Sequence, residues 1–367
     1  MSAVATFPIW DLTKQELTDT VIAQIKEGKS DLINSSLRDN YLSNFNKAVD
    51  GVMGKPQYGD SGFDLALQSR INVERFANFK AYQATEQLKS LRTDDPMFDK
   101  NAKAVINTFN RFQATEYNTI TARARTAHQW EGFKENKDLY PNIMWLPSRS
   151  AHIREEHAAF YYHVWAQDDP FWDENSPGQL WNCKCDWEET DKDVTDNGDI
   201  ESVPAAPGLE GNPGESGELI TDEHPYISSA PDNVEPDVYR EMRNDARDEA
   251  IDNLVGNSIP QTIIEDGNER SIDIEITKPG IKHMAGDFDE NQVFKNGLMP
   301  YLDRIILKAE FVVSADNYNF VDQMTKRYHY FSFDILDQKG YINVAEDAYG
   351  KFRFHSYKDI IGHKKRK

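Results

Sequence analysis

The fold of the C-terminal part of the chain can be predicted from the stretch RYHYFSFDILDQKGYINVAEDAYGKFRFHSYKDI, residues 327–360. Three runs within it alternate apolar and polar residues, and short turns at Gln338–Gly340 and Asp347–Gly350 separate the runs. Alternation with a period of two is typical of half-buried strands, and short turns join neighbouring antiparallel strands. The stretch therefore predicts an antiparallel meander of three strands.

The residues before the meander predict a further strand and the helices that cover the sheet. VYREMRNDARDEAIDNLVG at 238–256 predicts a helix, whereas RSIDIEITK at 270–278 alternates as a strand does. A second helical segment is expected around Phe294 to Val313. Residues 236–367 are therefore predicted to form one module in which helices pack on a small antiparallel sheet.

The N-terminal part of the chain has the periodicity of helices. Its apolar residues recur at spacings of three and four, which is the helical period. Helices are predicted at 13–28, 31–52, 63–91 and 101–133. Thr13 followed by Glu16 predicts a capping box at the first start, and Gly28 predicts the end of that helix.

From Tyr140 onward the helical period is lost and aromatic residues become dense. This change predicts a compact unit of short strands and turns with an aromatic core. The predicted fold class is α+β and multidomain. Its parts are a helical region at 1–100, a small α+β domain at 101–190, an acidic linker at 191–235 and the C-terminal module at 236–367.

Charge is distributed unevenly over the chain. The formal net charge is -21 and the mean hydropathy is -0.71. Residues 186–239 hold 16 Asp and Glu against Lys192 alone, and few large apolar residues accompany them. Such a segment is expected to stay flexible because it buries too little to offset its ordering entropy. Residues 271–367 are nearly neutral, with 14 acids and 15 Lys and Arg, so the acidic total does not exclude a nucleic-acid partner there.

The sequence predicts neither a membrane partner nor secretion. No apolar run approaches the roughly 20 residues that a membrane-spanning helix needs. The N-terminus MSAVATFPIWDLTKQEL lacks the basic start and apolar core of a signal peptide. We therefore expect the chain to be made and first used in a cytoplasm.

The two cysteines, Cys183 and Cys185, are expected to be free thiols or ligands. A disulfide between residues two apart is strained, and a reducing compartment disfavours it further. Together with His152, and with His157 or His163 as a fourth ligand, they have the donor types of a structural zinc site. Two alternatives stay open: thiols that fill gaps in the aromatic core beside its tryptophans, and a Cys–His nucleophile.

The C-terminal module contains the residue types of a metal-independent ribonuclease. Such cleavage needs a base for the 2′-hydroxyl, an acid for the 5′-oxygen and cations for the developing charge. The candidate catalytic residues are His283, His329, His355, Lys308, Arg353 and Ser356. The candidate substrate-binding residues are Lys282, Arg327, Tyr328, Tyr330 and Tyr357, since tyrosine rings stack on bases. Each histidine taken singly is equally compatible with an ordinary surface or core position.

Strict alternation assigns these residues to faces of the strands. In the first strand His329, Phe331 and Phe333 share one face, and Tyr328, Tyr330 and Ser332 the other. In the last strand, one face begins with two phenylalanines, and the other face is polar and basic. The predicted polar face carries Lys351, Arg353, His355 and Tyr357, and the predicted apolar face carries Phe352, Phe354, Ser356 and Lys358.

Two short motifs in the central region carry a resemblance to a known family. DDPFW at Asp168–Trp172 precedes WNCKC at Trp181–Cys185, and Arg149 and His152 stand before them as Arg-x-x-His. In this arrangement residues 105–190 resemble the phage Mu F-like head-morphogenesis proteins, which include the minor head proteins of SPP1-type phages. Lys184 replaces the usual arginine, and the family's Leu-Asp-Gly after the histidine is absent.

The resemblance implies a structural role in a tailed phage particle. Mu F-like proteins are present in few copies inside the capsid near the portal. Portal and capsid proteins are therefore the implied partners. The implied location is the virion interior, with the host cytoplasm during assembly or after delivery.

The C-terminal module resembles a second family. ITKPGIKHM at 276–284, a helical segment and the strand pattern are similar to phage-associated ribonucleases of the barnase/EndoU/colicin/RelE superfamily. That resemblance covers residues 270–361 and implies a toxin-like ribonuclease with no cofactor, RNA as substrate and an immunity protein as partner. The alternative is a purely structural head protein whose C-terminal domain binds nucleic acid or capsid without catalysis.

Overall fold

The computed structural model describes residues 12–150, 155–198, 200–285, 292–317, 324–336 and 338–358. The chain divides into two compact units. The first comprises Met1–Gly54 and Asn72–Pro231, and the second comprises Lys55–Ile71 and Asp232–Lys367. Each unit combines helices with a sheet, which confirms the predicted α+β multidomain class. Among the described residues, no helix is both long and apolar enough to span a bilayer.

Four long helices dominate the N-terminal part: α1 (Leu12–Lys26), α2 (Ser35–Met53), α3 (Phe63–Lys89) and α4 (Phe98–Asn136). Their bounds lie within a few residues of the predicted ones, because the apolar period fixes which face is buried. Thr13 lies inside α1 instead of capping it. The prediction of a helical N-terminal region is confirmed.

A buried ion pair joins α3 and α4 in the first unit. The Lys80 ammonium contacts the Glu116 carboxylate and lies 4.5 Å from the centroid of the Tyr41 ring. Burial lowers the pKa of Lys80 and raises the pKa of Glu116. Each charge therefore depends on the other for compensation.

The first unit also contains a three-stranded antiparallel sheet in the order β2-β1-β3. The strands are β1 (Asn142–Leu146), β2 (Val164–Ala166) and β3 (Asp186–Thr190). A 3-10 helix, Glu155–Phe160, precedes β2, and the short helix α5 (Phe171–Glu174) follows it. Five buried tryptophans pack around this sheet, as the dense aromatic sequence predicted: Trp130, Trp145, Trp165, Trp172 and Trp187.

The acidic segment 191–235 differs from the flexible linker that its composition predicted. Its residues up to Pro231 belong to the first unit, and they form the short helices α6 (Pro213–Ser216) and α7 (Pro225–Ser228). The few apolar side chains that the segment has are buried: Leu209, Leu219, Ile220, Ile227 and others. The segment therefore packs on the unit that precedes it.

Polar groups on α3 and α4 explain why this segment is ordered despite its composition. Arg123, fully buried on α4, donates to the carbonyl oxygens of Leu209, Glu210 and Glu218 at 2.8, 3.1 and 3.2 Å. Asn72 Oδ1 on α3 accepts from the backbone amides of Leu219 and Ile220 at 3.0 and 2.9 Å. Backbone groups that would otherwise lose their water partners are thus satisfied.

The second unit contains a six-stranded sheet in the order β4-β5-β9-β8-β7-β6. Its strands are β4 (Ser258–Glu265), β5 (Asn268–Glu275), β6 (Glu310–Asp316), β7 (Thr325–Ile335), β8 (Gln338–Asp347) and β9 (Phe352–Lys358). All neighbours are antiparallel except β5 and β9, which are parallel. Its helices are α8 (Glu235–Leu254), α9 (Lys278–Met284), α10 (Val293–Gly297) and α11 (Leu302–Lys308).

The predicted meander is present as β7, β8 and β9, and helices pack on the sheet as expected. Three details differ from the sequence prediction. The sheet was predicted to be antiparallel, but its β5–β9 pair is parallel. The helical segment expected to reach Val313 ends at Lys308, because Glu310–Asp316 pairs with β7 as an edge strand. Strand β4 was not predicted, since it alternates only weakly and contains Pro260, which an edge strand tolerates.

Candidate functional site

A β-bulge in β9 decides which side chains meet on the sheet of the second unit. Asn343 on β8 pairs with Ser356, and the next residue, Val344, pairs with Phe354. His355 therefore lies at the register shift between these two pairs, and the alternation changes by one residue there. Phe352, Phe354 and Tyr357 share the core face, and Arg353 and Ser356 share the other.

The bulge brings His355 to His283, which lies on α9. The centroids of the two imidazole rings are 4.4 Å apart, and the Tyr328 ring lies 5.6 Å from His355. Helix α9 approaches β9 closely because Gly280 faces the Phe354 carbonyl, where a Cβ would not fit. Two candidate catalytic histidines thus lie beside one candidate base-stacking tyrosine. We call His283 and His355 the imidazole pair.

Three other predicted residues are neighbours of the imidazole pair in sequence. Lys282 is exposed on α9, Arg353 lies two residues before His355, and Ser356 follows it. The Arg353 guanidinium is held by Asp347 at 2.8 Å and lies 3.7 Å from Glu275. The guanidinium is therefore fixed in place, but its charge is already shared with two acids.

His329, a further predicted catalytic residue, is separated from the pair. Its side chain is 0% exposed and lies on the core face of β7, opposite to Tyr328. Its Nδ1 lies 2.8 Å from Ser314 Oγ and its Nε2 3.3 Å from Glu346 Oε2. Burial lowers its pKa. A substrate cannot reach this imidazole in the structure, so its geometry is that of a core residue.

Four remaining predicted residues are distributed over the unit. Tyr357 is 2% exposed, because the bulge turns it into the core, so it cannot stack on a base. Arg327 binds Asp316 at 2.9 Å and Glu265 at 3.2 Å. The other two are Lys308, exposed at the end of α11, and Tyr330, half-buried on the same face of β7 as Tyr328.

A second cluster lies in the first unit, where His157 meets both cysteines. Its Nδ1 lies 3.4 Å from Cys185 Sγ and 3.7 Å from Cys183 Sγ, and the three candidate ligand atoms all lie within 4.8 Å of one another. Both cysteines are free thiols. His152, the histidine that the sequence favoured as the third ligand, lies outside the described residues. His163 instead contacts Asn197.

The environment of this thiol cluster (His157, Cys183 and Cys185) polarises its sulfurs. A hydrogen bond from Cys185, aided by His157, lowers the pKa of Cys183 to about 4. The same hydrogen bond, together with burial, raises the pKa of Cys185. The two sulfurs and the imidazole therefore interact directly with one another.

The backbone around the thiol cluster is fixed by a tight turn. Asn182 has φ 59°, a left-handed conformation that asparagine tolerates better than most residues. The Cys183 amide donates to the Leu180 carbonyl at 2.9 Å, and the Asn182 amide donates to Thr119 Oγ1 at 3.0 Å. The turn is thus attached to α4, and it points both sulfurs toward His157.

The DDPFW motif supplies the aromatic wall behind this cluster. Asp169 Oδ1 accepts from the Phe171 amide at 2.9 Å and starts α5. Phe171 stacks on Trp165 with ring centroids 4.0 Å apart, and Trp172 lies parallel to Trp145. Trp145 in turn lies 5.5 Å from His157. The motif is therefore a packing element that supports the thiol cluster.

Comparison with known proteins gives one finding. An 85-residue stretch is 34% identical to the "Putative capsid assembly protein F" of Escherichia phage Mu. This stretch is 23% of the present chain and 19% of the phage protein, so the chain matches about a fifth of that relative's length. No family model matches the sequence. No solved structure matches it significantly.

Proposed function

We propose that this chain is a head-assembly protein of a tailed phage whose second unit is a metal-independent ribonuclease. The head-assembly role is supported by the similarity of an 85-residue stretch to a capsid assembly protein. The DDPFW and WNCKC motifs and their shared aromatic core agree with it. Portal and capsid proteins are the proposed partners, and the capsid interior is the proposed location.

The proposed ribonuclease activity rests on one observation. The centroids of the His283 and His355 imidazole rings lie 4.4 Å apart. A neutral imidazole of the pair accepts the proton of the ribose 2′-hydroxyl, whose oxygen then attacks the adjacent phosphorus. The bond from phosphorus to the 5′-oxygen breaks, and the other imidazole, in its protonated form, gives that oxygen a proton. The products are a 2′,3′-cyclic phosphate and a 5′-hydroxyl.

The neighbouring side chains have matching roles. Arg353 and Lys282 supply positive charge for the phosphorane that forms during attack. Tyr328, 5.6 Å from His355, offers a ring on which a base stacks. An immunity protein that covers this face is the proposed partner that protects the producing cell.

A second candidate function is binding of nucleic acid or capsid without cleavage. The acids beside Arg353, Asp347 and Glu275, favour it because they reduce the positive charge available to a transition state. Expression of the full chain in a bacterial host separates the two functions. The ribonuclease predicts growth arrest and RNA loss, both abolished by His283→Ala with His355→Ala. Harmless expression of the wild-type chain supports the binding function.

The head-assembly half has its own test in purified particles. The chain is expected to co-purify with portal protein from phage heads and to resist external protease until the heads are opened. Full digestion in intact particles, or absence from them, contradicts the assembly role and leaves the ribonuclease untouched.

A further inference from the structure

The thiol cluster combines three metal-ligating side chains from two separate segments. His157 comes from the 3-10 helix before β2, and Cys183 and Cys185 come from the turn before β3. His157 is 0% exposed and Cys183 is 6% exposed. Buried polar groups normally have hydrogen-bond partners. The meeting of three metal-ligating side chains at one largely buried position therefore requires an explanation.

The spacing of the ligand atoms fits a tetrahedral ion. With bonds of about 2.3 Å to sulfur and about 2.0 Å to nitrogen, a tetrahedral Zn²⁺ holds sulfur and nitrogen about 3.5 Å apart. The two observed separations from His157 Nδ1 to the sulfurs, 3.4 and 3.7 Å, lie on either side of that value. Thiolate and imidazole are also the ligands that select zinc over magnesium or calcium.

Hydrogen bonding alone accounts for this arrangement less well. A single imidazole nitrogen has one lone pair or one proton, yet Nδ1 faces two sulfurs at nearly equal distance. A cation between the three atoms uses one lone pair from each of them. Both sulfurs bind such a cation as thiolates, so the cation also compensates their negative charge inside the aromatic core.

A catalytic Cys–His pair fits the surroundings less well than a metal does. The histidine of such a pair is oriented by a third polar group. His157 Nε2 is buried and has no hydrogen-bond partner among the described residues. Cys183 is enclosed, so a substrate does not reach its sulfur.

We propose that His157 Nδ1, Cys183 Sγ and Cys185 Sγ bind one Zn²⁺ that has a structural role. Water or one further donor completes the tetrahedron. The ion fastens the 3-10 helix to the start of β3 and so closes the aromatic core of the first unit. This inference is independent of the proposed ribonuclease, which needs no metal.

The first test is the zinc content of the purified full-length chain. Elemental analysis is expected to find about one zinc per chain. Cys183→Ser, Cys185→Ser and His157→Gln are each expected to reduce it at least tenfold. His163→Gln is the matched control, because His163 is a nearby histidine that bonds Asn197 instead of the thiols, and it is expected to keep the metal.

A second measurement on the wild-type chain does not depend on whether the variants fold. Replacing zinc with Co²⁺ is expected to give the intense visible and thiolate charge-transfer bands of a tetrahedral site. Added Zn²⁺ is expected to slow the reaction of the chelator-treated chain with a thiol reagent. The proposal is overturned if the folded wild-type chain, prepared with zinc present, retains less than a tenth of an equivalent and shows neither effect.

Discussion

The imidazole rings of His283 and His355 lie 4.4 Å apart although one belongs to a helix and the other to a strand. Two backbone features produce this relationship. The register of β9 on β8 shifts at His355, and Gly280 lets α9 lie against β9. The proposed chemistry therefore depends on how the backbone of two elements meets.

His329 is predicted to contribute to stability and not to catalysis. His329→Ala removes a buried partner of Ser314 and Glu346 and is expected to lower the free energy of unfolding by about 2 kcal/mol. His329→Gln keeps a side chain that can hydrogen-bond at this position, so its free energy of unfolding is expected to fall by less. Chemical denaturation measures both variants. A variant with unchanged stability but RNA cleavage reduced a hundredfold would place His329 in the active site instead.

Replacing only one partner of the Lys80–Glu116 pair is predicted to destabilise the first unit strongly. Lys80→Met leaves the Glu116 carboxylate buried and uncompensated. The free energy of unfolding of the first unit is therefore expected to fall by about 3–5 kcal/mol. The double variant Lys80→Met with Glu116→Leu removes both charges and should recover most of that loss. A double-mutant cycle by urea unfolding checks the coupling. Additive losses would show that the two charges do not compensate each other.

His224 is predicted to make the stability of the first unit sensitive to acid. Burial lowers the pKa of His224 to about 4, from an ordinary value of 6.5. Below pH 6.5 the unfolded chain binds a proton that the folded chain refuses, so stability falls as the pH drops from about 6.5 to 4. The expected loss is about 3 kcal/mol over that range.

The control for this pH effect is His224→Asn. His224 Nδ1 accepts from the Tyr226 amide at the start of α7, and asparagine can make the same cap without titrating. The variant is expected to show a flatter dependence of unfolding free energy on pH between 6.5 and 4. Equal slopes for the two chains would mean that His224 titrates normally in the folded state.

Much of the fold could be predicted because its signals are local. The apolar period fixed α2, α3 and α4 to within a few residues, and the alternation in 327–360 predicted the three strands of the meander. The acidic segment could not be predicted in this way. Its order depends on Arg123 and Asn72, which bind its backbone from helices far away in the sequence.

The candidate site was predictable in composition but not in arrangement. Histidine content indicated His283 and His355, yet alternation assumed an unbroken period and placed both Ser356 and Tyr357 on the wrong faces. The bulge responsible has no signature in FRFHSYK. For the thiols, the donor types suggested His152 as a ligand with His157 or His163 as a fourth. The 3-10 helix brings His157 to the sulfurs, and His152 lies outside the described residues.

The proposed ribonuclease activity is tested by cleavage of a single-stranded RNA by the full-length chain in the presence of a chelator. An imidazole base and an imidazolium acid are expected to give 2′,3′-cyclic phosphate ends and a bell-shaped dependence of the rate on pH. His283→Gln and His355→Gln should each slow cleavage by about a hundredfold or more, whereas His128→Gln, an exposed histidine on α4, should not. Intact RNA with the wild-type chain, or equal rates in all variants, would contradict the proposed activity.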